Sequence, residues 1–166
     1  DADGTTDEGG EPNLPTGDAS HLVRDPGNVN RFYAALPGQG VFRSDNGGAN
    51  WVQVNTGLIG VGTASRMELA VHDGNGQNVV YAAVLGIKDA LPGVRFIGLF
   101  RSTDQGTTWR LVQNQQQIPQ SGQGSVHFSM VADPTAANAL FIRGDVDPGY
   151  RVLMDDADPT LDMLTP

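Results

Sequence analysis

The chain of 166 residues contains no cysteine, which excludes disulfides, thiolate metal sites and a cysteine nucleophile. It also has no apolar run near the roughly 18 residues that a membrane-spanning helix needs. Only 10 residues are basic against 19 acidic ones, and the net charge of -9 makes nucleic acid and anionic membranes poor partners. Lysine and glutamate are scarce, whereas 22 glycines and 10 prolines favour turns over helices.

Metal-binding patterns are missing as well. The histidines His21, His72 and His127 lie far apart in the sequence, and none belongs to a close-spaced zinc motif. Residues 1–12 are rich in Asp, Gly and Thr and predict a flexible acidic tail. A calcium loop there is disfavoured, because Thr5 and Thr6 stand where such a loop needs a ligand and a glycine. We therefore expect no metal and no cofactor.

Short apolar segments separated by Gly, Pro, Asn and Asp run through the rest of the chain. Four of them recur in order, as HLVRDP, RFYAALP, GVFRSDN and WVQVNTG and then as ELAVHDG, VVYAAVLG, GLFRSTDQG and WRLVQNQ. HFSMVADP and ALFIRGD begin a third copy, and no window keeps a helical period. Repeats of four short strands predict an all-β protein made of β-propeller blades, each of four antiparallel strands.

The repeat also sets the expected domain organisation. We expect blade 1 over residues 13–59, blade 2 over 60–118, and a partial blade 3 with a C-terminal segment over 119–166. About two and two-thirds blades are then present, and a closed propeller needs at least four. The repeats start and stop out of phase with the termini, which favours a fragment of a longer protein. A ring completed by further copies and an open stack of blades are the alternatives.

The most specific motif lies at the end of the third strand of the second copy. Ser102, Asp104, Gly106, Thr108 and Trp109 match the pattern S-x-D-x-G-x-T-W in full. Aspartate is suited to accept backbone N–H bonds in a tight turn, glycine to adopt positive φ, and tryptophan to anchor the hairpin in the core. The pattern predicts a structural turn between the third and fourth strands.

The first copy carries a variant of the same motif. Ser44, Asn46, Gly48 and Trp51 occupy the matching positions, with Asn46 in place of the aspartate. Asparagine can accept the same backbone bonds, so we expect the two turns to be alike.

These two motifs resemble the Asp-box of the BNR, sialidase-like and sortilin-like repeat family. The resemblance implies a β-propeller in which the box is structural and lies away from the ligand face, and it implies an extracellular or cell-surface location. The family's arginine triad, its tyrosine and glutamate pair and its F/Y-R-I-P motif are not found. A xyloglucanase-like interpretation is also disfavoured, because its aspartate motifs followed by paired glycines are absent.

The sequence favours a non-catalytic scaffold that binds a glycan or a protein. The alternative is a fragment of a sialidase-like or other glycoside hydrolase whose active site is completed by missing blades. Polar residues near the starts of the first strands, His21, Arg66, Glu68 and His127, are candidates to face a central channel. Glu68 is the one weak catalytic candidate, and hydrolysis needs two carboxylates.

A copy-specific insertion over residues 86–97 is the second candidate site. Insertions in repeat proteins map to loops, and this one combines apolar and charged residues. We predict a binding loop containing Lys88, Asp89, Leu91, Arg95 and Phe96. In the alternative interpretation, Phe96 and Ile97 extend the third strand of the copy and pack inward.

Overall fold

The computed structural model describes residues 13–74, 77–87, 94–114, 127–144, 150–154 and 160–163. These residues form twelve β-strands in three sheets and one short 3₁₀ turn, Val61–Thr63. The first sheet contains β1 (His21–Arg24), β2 (Phe32–Leu36), β3 (Gly40–Ser44) and β4 (Val52–Gln53). The second sheet contains β5 (Ala64–Gly74), β6 (Gln77–Ile87), β7 (Val94–Ser102) and β8 (Arg110–Asn114). The third sheet contains β9 (Ser129–Ala132), β10 (Ala139–Arg143), β11 (Tyr150–Leu153) and β12 (Thr160–Met163).

Each sheet is an antiparallel meander whose strands follow one another in chain order. The first strands of the three sheets are neighbours, because β5 packs against both β1 and β9. The sheets therefore radiate from a shared inner edge made of β1, β5 and β9, hereafter the inner edge. The all-β class and the four-stranded antiparallel units predicted from the sequence are confirmed.

The count of blades needs a correction. The third sheet has four strands, like the other two, where a partial blade was expected. Its last strands lack the box motif and a tryptophan, which were the sequence markers of the other copies. Antiparallel pairing of β11 with β10 and of β12 with β11 completes the sheet without them.

Two apolar cores lie between the sheets. Tyr33 and Val41 of the first sheet pack with Phe100 and Trp109 of the second, and the second sheet packs through its other face on the third. Strand β6 lies in the middle, and its residues alternate between the two cores. A strand that is buried on both faces has a continuous apolar sequence, such as VVYAAVL in β6.

One cross-strand pair recurs in all three sheets. An aromatic residue of the second strand faces an arginine of the third strand in the pairs Tyr33 with Arg43, Tyr81 with Arg101, and Phe141 with Arg151. In the third sheet the Arg151 guanidinium lies 6.0 Å from the centre of the Phe141 ring. In the sequence, Arg43 and Arg101 each stand just before a box, and the structure adds Arg151 as the equivalent arginine of the third copy, which has no box.

Candidate functional site

Three of the four polar residues predicted to face a channel meet at the inner edge. Arg66 Nε donates to Glu68 Oε1 at 2.8 Å, and Arg66 Nη2 donates to the same oxygen. The Nδ1 atom of His21 lies 3.2 Å from Glu68 Oε2. The Glu68 side chain is buried, whereas those of His21 and Arg66 stay 32% and 25% exposed. Glu68 thus forms the floor of a small polar site, and His21 and Arg66 form its accessible part.

The ring of His21 has a defined tautomer. The backbone N–H of Leu69 donates to His21 Nδ1 at 2.9 Å. Because that lone pair is used, the neutral ring carries its proton on Nε2. In this form Nδ1 and Glu68 Oε2 both present lone pairs, so their 3.2 Å approach is not a hydrogen bond, and Nε2–H is the donor that the ring has left for a ligand.

The site joins all three sheets. Ser20 Oγ donates to Met67 O at 2.7 Å and accepts from Met67 N at 3.1 Å, which fastens the chain before β1 to β5. Arg66 Nη2 donates to Phe128 O at 3.2 Å, just before β9. The fourth predicted residue, His127, precedes this contact in the chain and has an exposed side chain. The candidate site is therefore the meeting point of the inner strands.

The two box motifs form turns with matching serine contacts. Ser44 Oγ accepts from Gly48 N at 2.9 Å, and Ser102 Oγ accepts from Gly106 N at 2.8 Å. The glycines have φ of 93° and 82°, in the left-handed region that favours glycine. Each serine hydroxyl also donates to the residue two positions on, Asn46 or Asp104.

The aspartate position repeats in the same way. Asn46 Oδ1 accepts from Asn50 N at 2.8 Å, and Asp104 Oδ1 accepts from Thr108 N at 2.8 Å. Thr108 Oγ1 also donates to Asp104 Oδ2 at 2.6 Å. Burial acts to raise the pKa of Asp104, but the hydrogen bonds from Thr108 and Ser102 outweigh it and hold that pKa below its ordinary value. All these contacts are internal to the turn, as a structural role requires.

The two tryptophans differ in what they anchor. Trp51 Nε1 donates to Gly48 O of its own turn at 2.9 Å. Trp109 Nε1 donates to Val54 O at 2.7 Å, and Trp109 N donates to Thr56 O at 2.8 Å, both in the chain that follows β4. The second box therefore fastens the second sheet to the first.

A charged network beside the boxes was not predicted from the sequence. Asp45 accepts from Arg31 Nε at 2.6 Å and from Arg43 Nε at 2.9 Å. Arg43 Nη1 also donates to Gln105 O, at 2.8 Å, in the turn of the next sheet. Burial acts to raise the pKa of Asp45, but the two arginines lower it further than burial raises it. The sequence signal that could have indicated this network is the arginine just before each box, Arg43 and Arg101.

The predicted binding loop is corrected in part. Phe96 is fully buried in the core between the second and third sheets, with its ring centre 5.9 Å from that of Phe128. It extends β7 and packs inward, because the hairpin of β6 and β7 is longer than its counterpart in the first sheet. Lys88, Asp89 and Leu91 lie outside the described residues, as does the side chain of Arg95.

The described part of the chain holds no group of three or more His, Asp or Glu residues placed to bind a metal ion. Nor does that part contain a helix of the length and apolarity needed to cross a bilayer.

Comparisons with known proteins support the fold. No protein-family model matches the sequence, and no curated protein matches it. Among solved structures, an ancestral GH74 enzyme superposes with a TM-score of 0.54 and 19% identity, over 87% of this chain and 18% of that one. The GH74 xyloglucanase from Xanthomonas campestris has a TM-score of 0.48 and 18% identity, over 84% of this chain and 20% of that one.

The chain thus spans about a fifth of the length of the enzymes that it superposes on. At such low identity the likeness is one of fold. Three radiating four-stranded sheets and the likeness to the ancestral GH74 enzyme together assign the chain to the β-propeller class.

Proposed function

We propose that this chain is a non-catalytic segment of a larger β-propeller whose inner edge binds a neutral glycan. The supporting observation is the site of His21, Arg66 and Glu68, where polar groups are held by fixed contacts at the meeting point of three sheets. Convergent, pre-positioned N–H groups are suited to sugar hydroxyls. Because Arg66 compensates the charge of Glu68, a neutral ligand fits better than a charged one.

The position of Glu68 argues against catalysis by this chain alone. Its Oε1 atom is bonded to Arg66, and its Oε2 atom faces His21, with the residue only 4% exposed. A carboxylate this buried presents almost no surface to a substrate. Glycoside hydrolysis in most families also needs a second carboxylate on the other side of the scissile bond. The partners that the described residues give Glu68 include no second carboxylate.

The outer faces of the stack support a larger propeller. Leu22 of β1 points away from the second sheet and is 59% exposed, and Val131 of β9 likewise points away from it and is 60% exposed. Apolar residues exposed on both end sheets are suited to cover by further sheets. We propose that further blades, from the same protein or from other copies, pack there.

We also propose a relationship to the BNR, or Asp-box, repeat proteins. The support is that the serine hydroxyl and the side-chain oxygen of Asn46 or Asp104 accept from equivalent backbone N–H groups in the two turns. The extracellular or cell-surface location is a proposal that rests on the same relationship.

The second candidate function is a segment of a glycoside hydrolase whose other catalytic groups lie on blades outside this chain. It is favoured by the place of Glu68 on an inner strand and by the fold shared with the ancestral GH74 enzyme.

Binding and turnover separate the two candidates. Calorimetric titration with a panel of neutral tetrasaccharides should detect binding, and His21→Ala should weaken it about tenfold or more, equivalent to about 1.4 kcal/mol. Arg24→Ala, at the other end of the same strand, is the matched control and should bind like the wild type. Equal affinities for wild type and His21→Ala would refute the proposed site.

Reducing-sugar release on the same oligosaccharides tests the alternative. The binding proposal predicts no release by this chain. Turnover that disappears in Glu68→Gln would establish the hydrolase instead.

A further inference from the structure

The second box turn makes a direct contact with the first sheet. Arg43 Nη1 of the first sheet donates to Gln105 O of the turn at 2.8 Å and to Thr107 Oγ1 at 3.4 Å. Gly106 of the same turn is buried, and a Cβ added there would meet Cε1 of Tyr33 at 3.3 Å. The aromatic and arginine pair of the first sheet therefore binds the box turn of the sheet that follows it.

The third sheet has an equivalent surface on the face that points away from the second sheet. In the first sheet the cross-strand row that binds the turn is Val23, Tyr33 and Arg43. The equivalent row of the third sheet is Val131, Phe141 and Arg151, hereafter the docking surface. Tyr33 is fully buried, whereas Phe141 is partly exposed and Val131 is 60% exposed. The docking surface thus lacks the cover that the first sheet has.

The guanidinium of Arg151 differs from that of Arg43 in its partners. Arg151 Nη2 lies 4.0 Å from Asp133 Oδ2, beyond hydrogen-bond distance. Among the described residues, the buried Nε atom of Arg151 has no hydrogen-bond partner. A buried N–H without an acceptor costs free energy, so a carbonyl brought to this surface would be stabilised there.

The first box turn is the uncovered counterpart at the other end of the stack. In the places of Gln105, Gly106 and Thr107 it has Gly47, Gly48 and Ala49. Gly47 and Ala49 are exposed, and Gly48 is half-buried where Gly106 is buried. Within the described part of the chain, a Cβ added at Gly48 would meet only Trp51 of its own turn, at 3.8 Å. The first box turn therefore has the same internal geometry as the second but no sheet packed against it.

We propose that the docking surface binds the first box turn of a second copy of this chain, with Arg151 donating to Gly47 O as Arg43 donates to Gln105 O. The inference deepens the proposed cover of the end sheets and rests on it. Its support is that a contact made inside the chain is present as two uncovered halves at the two ends. Because each copy has one docking surface and one free turn, the contact is head-to-tail.

Two variants each disable one half of the contact. Arg151→Glu removes the donor of the docking surface, and Ala49→Arg brings a positive charge to the turn, where it repels Arg151 of the other copy. Sedimentation velocity is measured between about 1 μM and 1 mM protein. We expect the wild type to associate as its concentration rises, and each variant alone to associate at least about tenfold more weakly. Ala49 is exposed, so Ala49→Arg decides the matter even if Arg151→Glu does not fold.

An equal mixture of the two variants supplies the matched control. The turn of the Arg151→Glu copy and the docking surface of the Ala49→Arg copy are unchanged, and at the other contact the new glutamate faces the new arginine. The mixture should therefore associate at least about tenfold more tightly than either variant alone. A mixture that associates as weakly as its components would overturn the proposal. A wild type that stays monomeric would also overturn it, in favour of a further blade of the same protein as the occupant.

Glycan titration of the same variants separates this inference from the binding proposal. Neither Arg151 nor Ala49 belongs to the inner-edge site, so both variants should bind oligosaccharides within about twofold of the wild type. Variants that bind glycan normally and also associate like the wild type would overturn the docking inference alone. A wild type that binds no oligosaccharide but associates as described would overturn the glycan site alone.

Discussion

Two equivalent tyrosines are expected to differ in what the loss of their hydroxyl costs. Tyr33 and Tyr81 are both fully buried and occupy the same place in the first and second sheets. The Tyr81 hydroxyl donates to Ala137 O at 2.5 Å. Among the described residues, the Tyr33 hydroxyl has no hydrogen-bond partner.

The difference has a structural origin. Ala137 belongs to the connection between β9 and β10, residues 133–138, which reaches over to the second sheet. The corresponding connection between β5 and β6 consists of residues 75 and 76 alone. The second sheet therefore has no counterpart of the long connection whose carbonyl accepts from Tyr81.

Tyr81→Phe should cost about 1 to 3 kcal/mol, because it leaves the partly buried Ala137 carbonyl without its hydrogen-bond donor. Tyr33→Phe should be neutral or stabilising, since it removes a buried hydroxyl that lacks a partner. A difference of about 2 kcal/mol between the variants corresponds to roughly 4 to 8 °C in Tm for a domain of this size. Urea unfolding with an unchanged m-value is the primary measurement. A Tyr33→Phe variant as destabilised as Tyr81→Phe would refute the reasoning.

Tyr33 and Tyr81 also predict that the stability of the fold decreases at alkaline pH. Burial raises the pKa of Tyr33, against a smaller opposing effect of the Arg31 charge, and burial likewise raises that of Tyr81. Above about pH 10 the unfolded state loses these protons first, so stability is present below that pH and falls as the pH rises further. Tyr33→Phe should lose less stability than the wild type between about pH 9 and 11.

The remaining predictions concern the turns. Asp104→Asn copies Asn46, so the fold should persist. Because the pKa of Asp104 is lowered in the folded state, the wild type should lose stability below about pH 4, and the variant should lose less. Acid titration followed by circular dichroism measures the difference. An equal acid response would contradict the role given to the carboxylate. Gly57→Ala should cost about 1 to 3 kcal/mol more than Gly38→Ala in urea unfolding. Both glycines have positive φ, but only at Gly57 would an added Cβ meet a backbone oxygen, Trp109 O, at 2.1 Å. Equal costs would show that the contact of the turn with Trp109 is not rigid.

The box turns were predictable because their information is local. Ser102, Asp104, Gly106 and Thr108 bond to one another within a few residues, so the motif alone specifies the geometry. The inner-edge site was predictable only as a list of polar residues. The contact between His21 and Glu68 joins strands far apart in sequence, and it depends on how β1 lies against β5.

The wrong predictions have physical causes as well. The insertion that contains Phe96 mixes charged and apolar residues, which predicts a binding loop but also allows the alternative that Phe96 extends the third strand and packs inward, as the structure shows. In the structure both faces of the second sheet are covered, so its longer hairpin gains apolar contacts along the added length. The sequence predicts only a partial third blade, because β11 and β12 carry no motif and their pairing is determined by the neighbouring strand.

The position of the second sheet between the other two has a consequence for how the molecule opens. Repeat proteins are often treated as units that unfold one at a time, each held only by contacts with its neighbours. Here the two N–H groups of Trp109 donate hydrogen bonds to the chain after β4, and Arg43 donates one to the turn after β7. Separating the first two sheets therefore breaks these hydrogen bonds as well as the apolar packing. Amide protons of β6, enclosed by both cores, should exchange with deuterated solvent only when the whole stack opens, while those of β4 exchange through local fraying.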